Sequence, residues 1–71
     1  MAHYRVSFTV KGRVYYTEGD STYPSDEAIE KNEIDMDIAM ESAAVFASSL
    51  KRSLNLDGKI DPDSISFEIY K

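Results

Sequence analysis

The sequence predicts a small α+β domain in the order ββαβ, with one long helix across one face of a three-stranded antiparallel sheet. Three observations predict it. Two segments near the ends, Tyr4–Val10 and Ser64–Tyr70, alternate apolar and polar residues with the period of a half-buried strand. Between them, Met36, Ala39, Met40, Ala43, Phe46, Ala47, Leu50 and Leu54 recur at helical spacing over five turns. The chain has 71 residues with 42% hydrophobic and 30% charged side chains, which suits one globular domain over residues 1–71 and leaves no room for a second.

In the first strand, Tyr4, Val6, Phe8 and Val10 share one face, and Arg5, Ser7 and Thr9 the other. Lys11-Gly12 follows, and glycine supplies the positive φ of a tight hairpin turn. Arg13–Glu18 is the return strand, and its register is open. A two-residue turn sets Tyr15 opposite Phe8 on the core face. A loop one residue longer turns Val14 and Tyr16 inward instead, because a one-residue slip flips every side chain. The second register is favoured, since it supplies two apolar residues and leaves Arg13 in water.

Gly19–Ser25 reads as a loop, followed by a short helical turn over Asp26–Lys31 with Ser25 as its cap. Glu33–Ile38 alternates like a strand, but the eight-residue helical stripe outweighs it. The long helix is expected from Asn32 or Asp35 to Asn55, with Asn32 and Asp35 resembling a capping box and Lys51 and Arg52 near the C-terminal dipole. Asp57-Gly58 ends it, Gly58 being the left-handed or turn glycine, and Pro62 keeps the next stretch non-helical. In the last strand Ile65, Phe67 and Ile69 point inward.

A helix of about 22 residues is ~33 Å long and a seven-residue strand ~23 Å, so one helix covers most of one sheet face. A right-handed crossover puts the last strand beside the first and gives the order 2-1-3. The other sheet face is left uncovered.

The charges divide unevenly. The formal net charge is −5. Residues 1–17 carry Arg5, Lys11 and Arg13 and no acid. Residues 18–41 carry Glu18, Asp20, Asp26, Glu27, Glu30, Glu33, Asp35, Asp37 and Glu41 against Lys31 alone. Helix N-termini and solvated loops attract acids, but the dipole effect fades within one turn, and this run exceeds that need. Segment 18–41 is therefore the candidate contact surface, through Glu18, Asp20, Asp26, Glu27, Glu30, Glu33, Asp37 and Glu41 with Tyr23 as an aromatic anchor. The expected partner is a basic protein or ribonucleoprotein surface.

Ile34, Ile38 and Val45 form a second apolar set off the main helical stripe. Either the Pro24–Asn32 segment covers them, or they are a contact surface. The latter, with free sheet edges, gives the alternative function, a homodimer or larger assembly. Five tyrosines, at positions 4, 15, 16, 23 and 70, with Arg5 and Arg13 give a second alternative, a weak single-strand nucleic-acid binder. The acidic balance disfavours it, because phosphate contacts dominate such affinity.

Other chemistry finds little footing. The chain has no Cys and one His, which removes disulfides and thiol nucleophiles and leaves no donor set for zinc; a reduced, cytoplasmic setting fits. Asn55, Asp57, Gly58, Ile60 and Asp61 match positions of a calcium-binding loop. Ser53 and Ser64 stand where its first acid and its bidentate Glu belong, so no calcium is expected. His3 is read as solvated, and no phosphate loop or nucleophile motif is present, so the chain is expected to be non-enzymatic and to need no cofactor or metal. No apolar run is long enough to span a membrane, and the polar N-terminus is no signal peptide.

In size, acidity and absence of Cys the chain is similar to the small inhibitors that phages and mobile elements encode, anti-CRISPR proteins among them. That resemblance implies a nucleic-acid mimic, whose acids stand where a nuclease or ribonucleoprotein expects phosphate.

Overall fold

The computed structural model describes residues Met1–Lys71. Strand β1 (Ala2–Val10) and strand β2 (Arg13–Ser21) form a hairpin. Helix α1 (Asp26–Lys31) and helix α2 (Met36–Ser53) follow, then a single 3-10 turn (Pro62–Ser64) and strand β3 (Ser66–Tyr70). The sheet is antiparallel throughout in the order β2-β1-β3, with α2 packed on it, as the sequence predicts.

The hairpin turn decides a register that composition left open. Lys11 and Gly12 both take positive φ, 50° and 76°, the requirement of a two-residue turn whose twist matches the strands. Val10 therefore pairs with Arg13 and Phe8 with Tyr15, whose rings stack at 5.7 Å. Val14 and Tyr16 do not point inward, and are 51% and 77% exposed. The physical reason lies further along the strand, which runs on to Ser21 where a loop was expected. With Val14 and Tyr16 inward, Glu18 and Asp20 would have been buried with them. The register adopted turns Gly19 to the core face instead. A Cβ there would lie 2.2 Å from the Phe46 ring, so the missing side chain is what lets the helix sit down on β2.

The core is narrow. From β1 come Ala2, Tyr4, Val6, Phe8 and Val10, and from α2 come Ala39, Ala43 and Ala47, all buried. Alanines four apart form a smooth ridge that brings helix and sheet backbones close. Phe46 and Leu50 flank the ridge, half-buried. The expected stripe is trimmed at its margins, where Met36, Met40 and Leu54 stay exposed. Phe46 meets Tyr4, at 5.5 Å between ring centres.

Asp35 is the N-cap of α2, accepting from the amides of Asp37 and Ile38. Asn32 takes no part in that cap. It is the left-handed residue ending α1, where Glu33 N–H donates to Ala28 C=O at 2.8 Å. At the other end of α2, Asn55 and not Gly58 takes the left-handed position, and Leu56 N–H closes onto Lys51 C=O at 3.0 Å. Gly58, at φ 102°, is the turn glycine of the following loop. Pro62 opens the 3-10 turn rather than excluding helical structure, with Asp61 as its cap. Ser64 Oγ accepts from Thr9 N–H, so β3 begins at Ser66, after this stitch to β1. No helix is long and apolar enough to cross a membrane.

Candidate functional site

The acids of segment 18–41 divide among three places. Glu18 and Asp20 stand on the open face of the sheet, where register sets them beside Arg5 and His3. Asp26, Glu27 and Glu30 lie on α1, and Glu33 in the connector. Asp37 and Glu41 lie one turn apart near the start of α2. The fold does not gather the eight acids into one surface.

Most of them are engaged within the chain. His3 is held between two carboxylates, its Nδ1 2.8 Å from Asp20 and its Nε2 2.9 Å from Glu18. Arg5 donates to Glu18 at 3.3 Å. Asp26 pairs with the N-terminal amine at 3.5 Å, Glu27 with Lys31 at 2.8 Å, and Glu30 with Lys71. Glu33, Asp37 and Glu41 are exposed and have no ion-pair partner. Exposed Met36 and Met40 stand on the same end of α2.

Tyr23 is tied into the fold. Its hydroxyl accepts from Asp35 N–H at 2.7 Å, its carbonyl accepts from the Tyr4 hydroxyl at 2.8 Å, and the ring is half-buried. The residue read as a contact anchor thus links the buried end of β1 to the cap of α2.

His3 is the residue that sequence reading missed. It is not a free terminal side chain but the centre of a cross-strand cluster. Hydrogen bonds to Glu18, then to Asp20, hold its pKa above the ordinary 6.5. The same bond from His3, with the nearby Arg5 charge, holds Glu18 below its ordinary 4.5. A signal existed only under the two-residue turn at Lys11-Gly12, whose register, carried to Asp20, sets His3 across from that residue. Across β1, the Arg5 guanidinium lies 5.1 Å from the Tyr70 ring centre, and the Tyr70 hydroxyl donates to Glu68. That bond raises the Tyr70 pKa above 10.0. A shallow groove lies in this open face, lined by Arg5, Ser7, Tyr16, Glu18, Ser66 and Glu68.

The nucleic-acid reading needed Arg5, Arg13 and the tyrosines together, and the fold separates them. Tyr4 is buried, Tyr15 stacks on the core face, and Arg13 shares that face. Tyr16 and Tyr70 are the tyrosines of the open face, beside Glu18, Asp20 and Glu68. In the loop compared above with a calcium site, Asp57 pairs with Lys11 at 3.2 Å and Asp61 serves as a cap. No grouping of His, Asp and Glu side chains has the arrangement of a metal site.

Neither a family model, nor a curated protein, nor a solved structure matches the chain.

Proposed function

We propose that the chain is a non-enzymatic binding protein that meets a basic protein surface with the acidic N-terminal end of α2. The carrying observation is the contrast between engaged and free acids. Glu33, Asp37 and Glu41 lack any cation within the chain and stand beside exposed Met36 and Met40. Unpaired carboxylates steer a cationic partner and reject anionic ones. Flexible thioethers add an adaptable apolar contact. A chain of this size buries only ~60% of its unfolded surface, which leaves little scaffold for an enclosed reaction site. In its finer form the reading is an inhibitor of the kind phages and mobile elements encode, acting in the cytoplasm, whose carboxylates occupy a groove built for phosphate.

The test is capture from host lysate by immobilised protein, with mass-spectrometric identification, at low and high salt. Wild type should retain a basic protein at low salt and release it at high salt, as screening shortens the reach of its charges. Asp37→Lys with Glu41→Lys should slow association with that protein at least tenfold, roughly the scale on which steering acts, while leaving the fold intact. Arg5→Glu with Arg13→Glu is the control. Binding that survives the acid reversals but is lost in the control would overturn the proposal and move the contact to the sheet.

A further inference from the structure

We infer that the outer flank of the last turns of α2 holds a binding site for a phosphomonoester, with donors for the phosphate and an apolar hollow beside them for its ester group. The inference does not rest on the acidic-surface reading, since it concerns the other end of α2 and a ligand of the opposite charge.

The cations divide as the acids do. Arg5, Lys11, Lys31 and Lys71 are each paired with a carboxylate of the chain. Arg13, Lys51, Arg52 and Lys59 are not. Lys51 and Arg52 stand together at the end of α2, where the helix dipole favours cations. They do not serve as its caps. The carbonyls of Leu50, Lys51 and Arg52 accept instead from the backbone amides of Leu54, Leu56 and Asn55.

Helical spacing gathers further donors around the two cations. Counted from Ser48, Lys51, Arg52 and Asn55 follow at three, four and seven residues, the spacing of one helix flank. These four residues and Leu56 line one hollow of about 350 Å³. Every polar side chain there can donate, and no acid lines it. None of the four has a hydrogen-bond partner for its side chain within the chain. Asp37 and Glu41 lie on the same flank, but ~10 Å or more before Ser48 along the axis, about a Debye length at physiological salt. A second hollow, of about 260 Å³, is lined by Ala44, Val45, Ser48, Ser49 and Arg52. Ser48 and Arg52 belong to both, so the donor hollow opens directly onto one floored by Ala44 and by Val45, which is 65% exposed.

The donor set fits phosphate. A guanidinium fork takes two of its oxygens, an ammonium adds a point charge, and a hydroxyl and an amide reach a third oxygen. A carboxylate offers two oxygens and a single charge, and uses only part of the set. From Ser48 to Asn55 the flank runs ~10 Å, room for one phosphate and its ester group rather than a run of phosphates.

An NMR titration with phenyl phosphate at fixed ionic strength tests the inference. Saturable shifts should centre on the amides of Ser48, Lys51, Arg52 and Asn55. Inorganic phosphate should bind the same residues severalfold more weakly, and benzoate more weakly still. Lowering the pH from about 7.5 to about 5.5 should weaken phenyl phosphate, because a phosphomonoester loses its second charge near pH 6. Arg52→Gln should weaken binding about tenfold, the scale of losing a charged hydrogen bond. Arg52→Lys, which keeps the charge and loses the fork, should fall between. Val45→Ser should abolish the advantage of phenyl phosphate over inorganic phosphate and leave the latter unchanged. Lys59→Gln, at an unpaired cation outside the hollow, should bind as wild type. Arg52, Val45 and Lys59 are exposed, so helical circular dichroism should not change. No saturation at tens of millimolar, benzoate binding as tightly as phenyl phosphate, Arg52→Gln binding as wild type, or shifts as large at Lys59 as at Arg52 would each overturn the assignment.

Discussion

β1 and β2 are both nine residues long, are joined by two residues, and alternate along their length, yet they end in different environments. In β1 every second residue, from Ala2 to Val10, is buried. In β2 none is. Alternation tells which side chains share a face; how deep that face lies depends on neighbours. α2 lies over both strands, but β1 has a strand on each side, while β2 has β1 on one side and water on the other. The outward residues differ as well. Those of β1 include His3 and Arg5, which bind the carboxylates of β2, so the charged cluster is itself a product of pairing the two strands.

The comparison breaks most readily at the aromatic pair that joins the strands. Phe8→Ala should cost about 3–5 kcal/mol, as for a fully buried aromatic ring. Tyr15→Ala, on the other ring of the same stack, should cost about 2 kcal/mol or less, because part of that ring already contacts water. Denaturant unfolding of both variants checks this. Equal costs would mean that β2 is buried as deeply as β1.

Gly19 sharpens it. Gly19→Ala places a methyl group against the Phe46 ring and should cost about 1–3 kcal/mol, although glycine-to-alanine changes in strands otherwise stabilise. Thermal melts should show a fall in Tm that Phe46→Leu partly reverses by making room. A Gly19→Ala protein as stable as wild type would remove close helix approach as the reason for that glycine.

The smallest effect is the pH dependence of the charged cluster. His3 gains its proton more readily in the folded chain, so its contribution is complete below pH 6.5 and fades as pH rises through the raised folded value. Glu18 is the converse, contributing fully above pH 4.5 and losing that as pH falls through its lowered value. Stability from this cluster should therefore peak between the two. His3→Gln should flatten the profile, and an NMR titration of the imidazole should place its midpoint above 6.5. Both groups are exposed, so screening by solvent and salt keeps the change small.

Much of the fold was legible because its signals are local. The strand of Tyr4–Val10 and the stripe through Ala39, Ala43 and Phe46 each declare a period within a few residues. The acidic run was equally plain as a count of charges. Which acids remain free was not legible, because their partners lie far away in sequence, as with Glu30 and Lys71 or Asp20 and His3. Tyr23 resembled a surface anchor for the same reason: the hydrogen bonds of its hydroxyl and its carbonyl reach residues at least twelve positions away.

By itself the sequence determined the element order, the sheet order and the inward face of β1, because periodicity and crossover handedness leave few alternatives. Tertiary structure alone decided the depth of each strand, the hairpin register and the division of the acids. Each of these depends on what packs alongside. Phe46 needs the vacancy at Gly19, and the carboxylates of Glu18 and Asp20 need water on their side of the sheet. Those two requirements, met across the whole thickness of the molecule, select one register over another that strand composition alone had favoured.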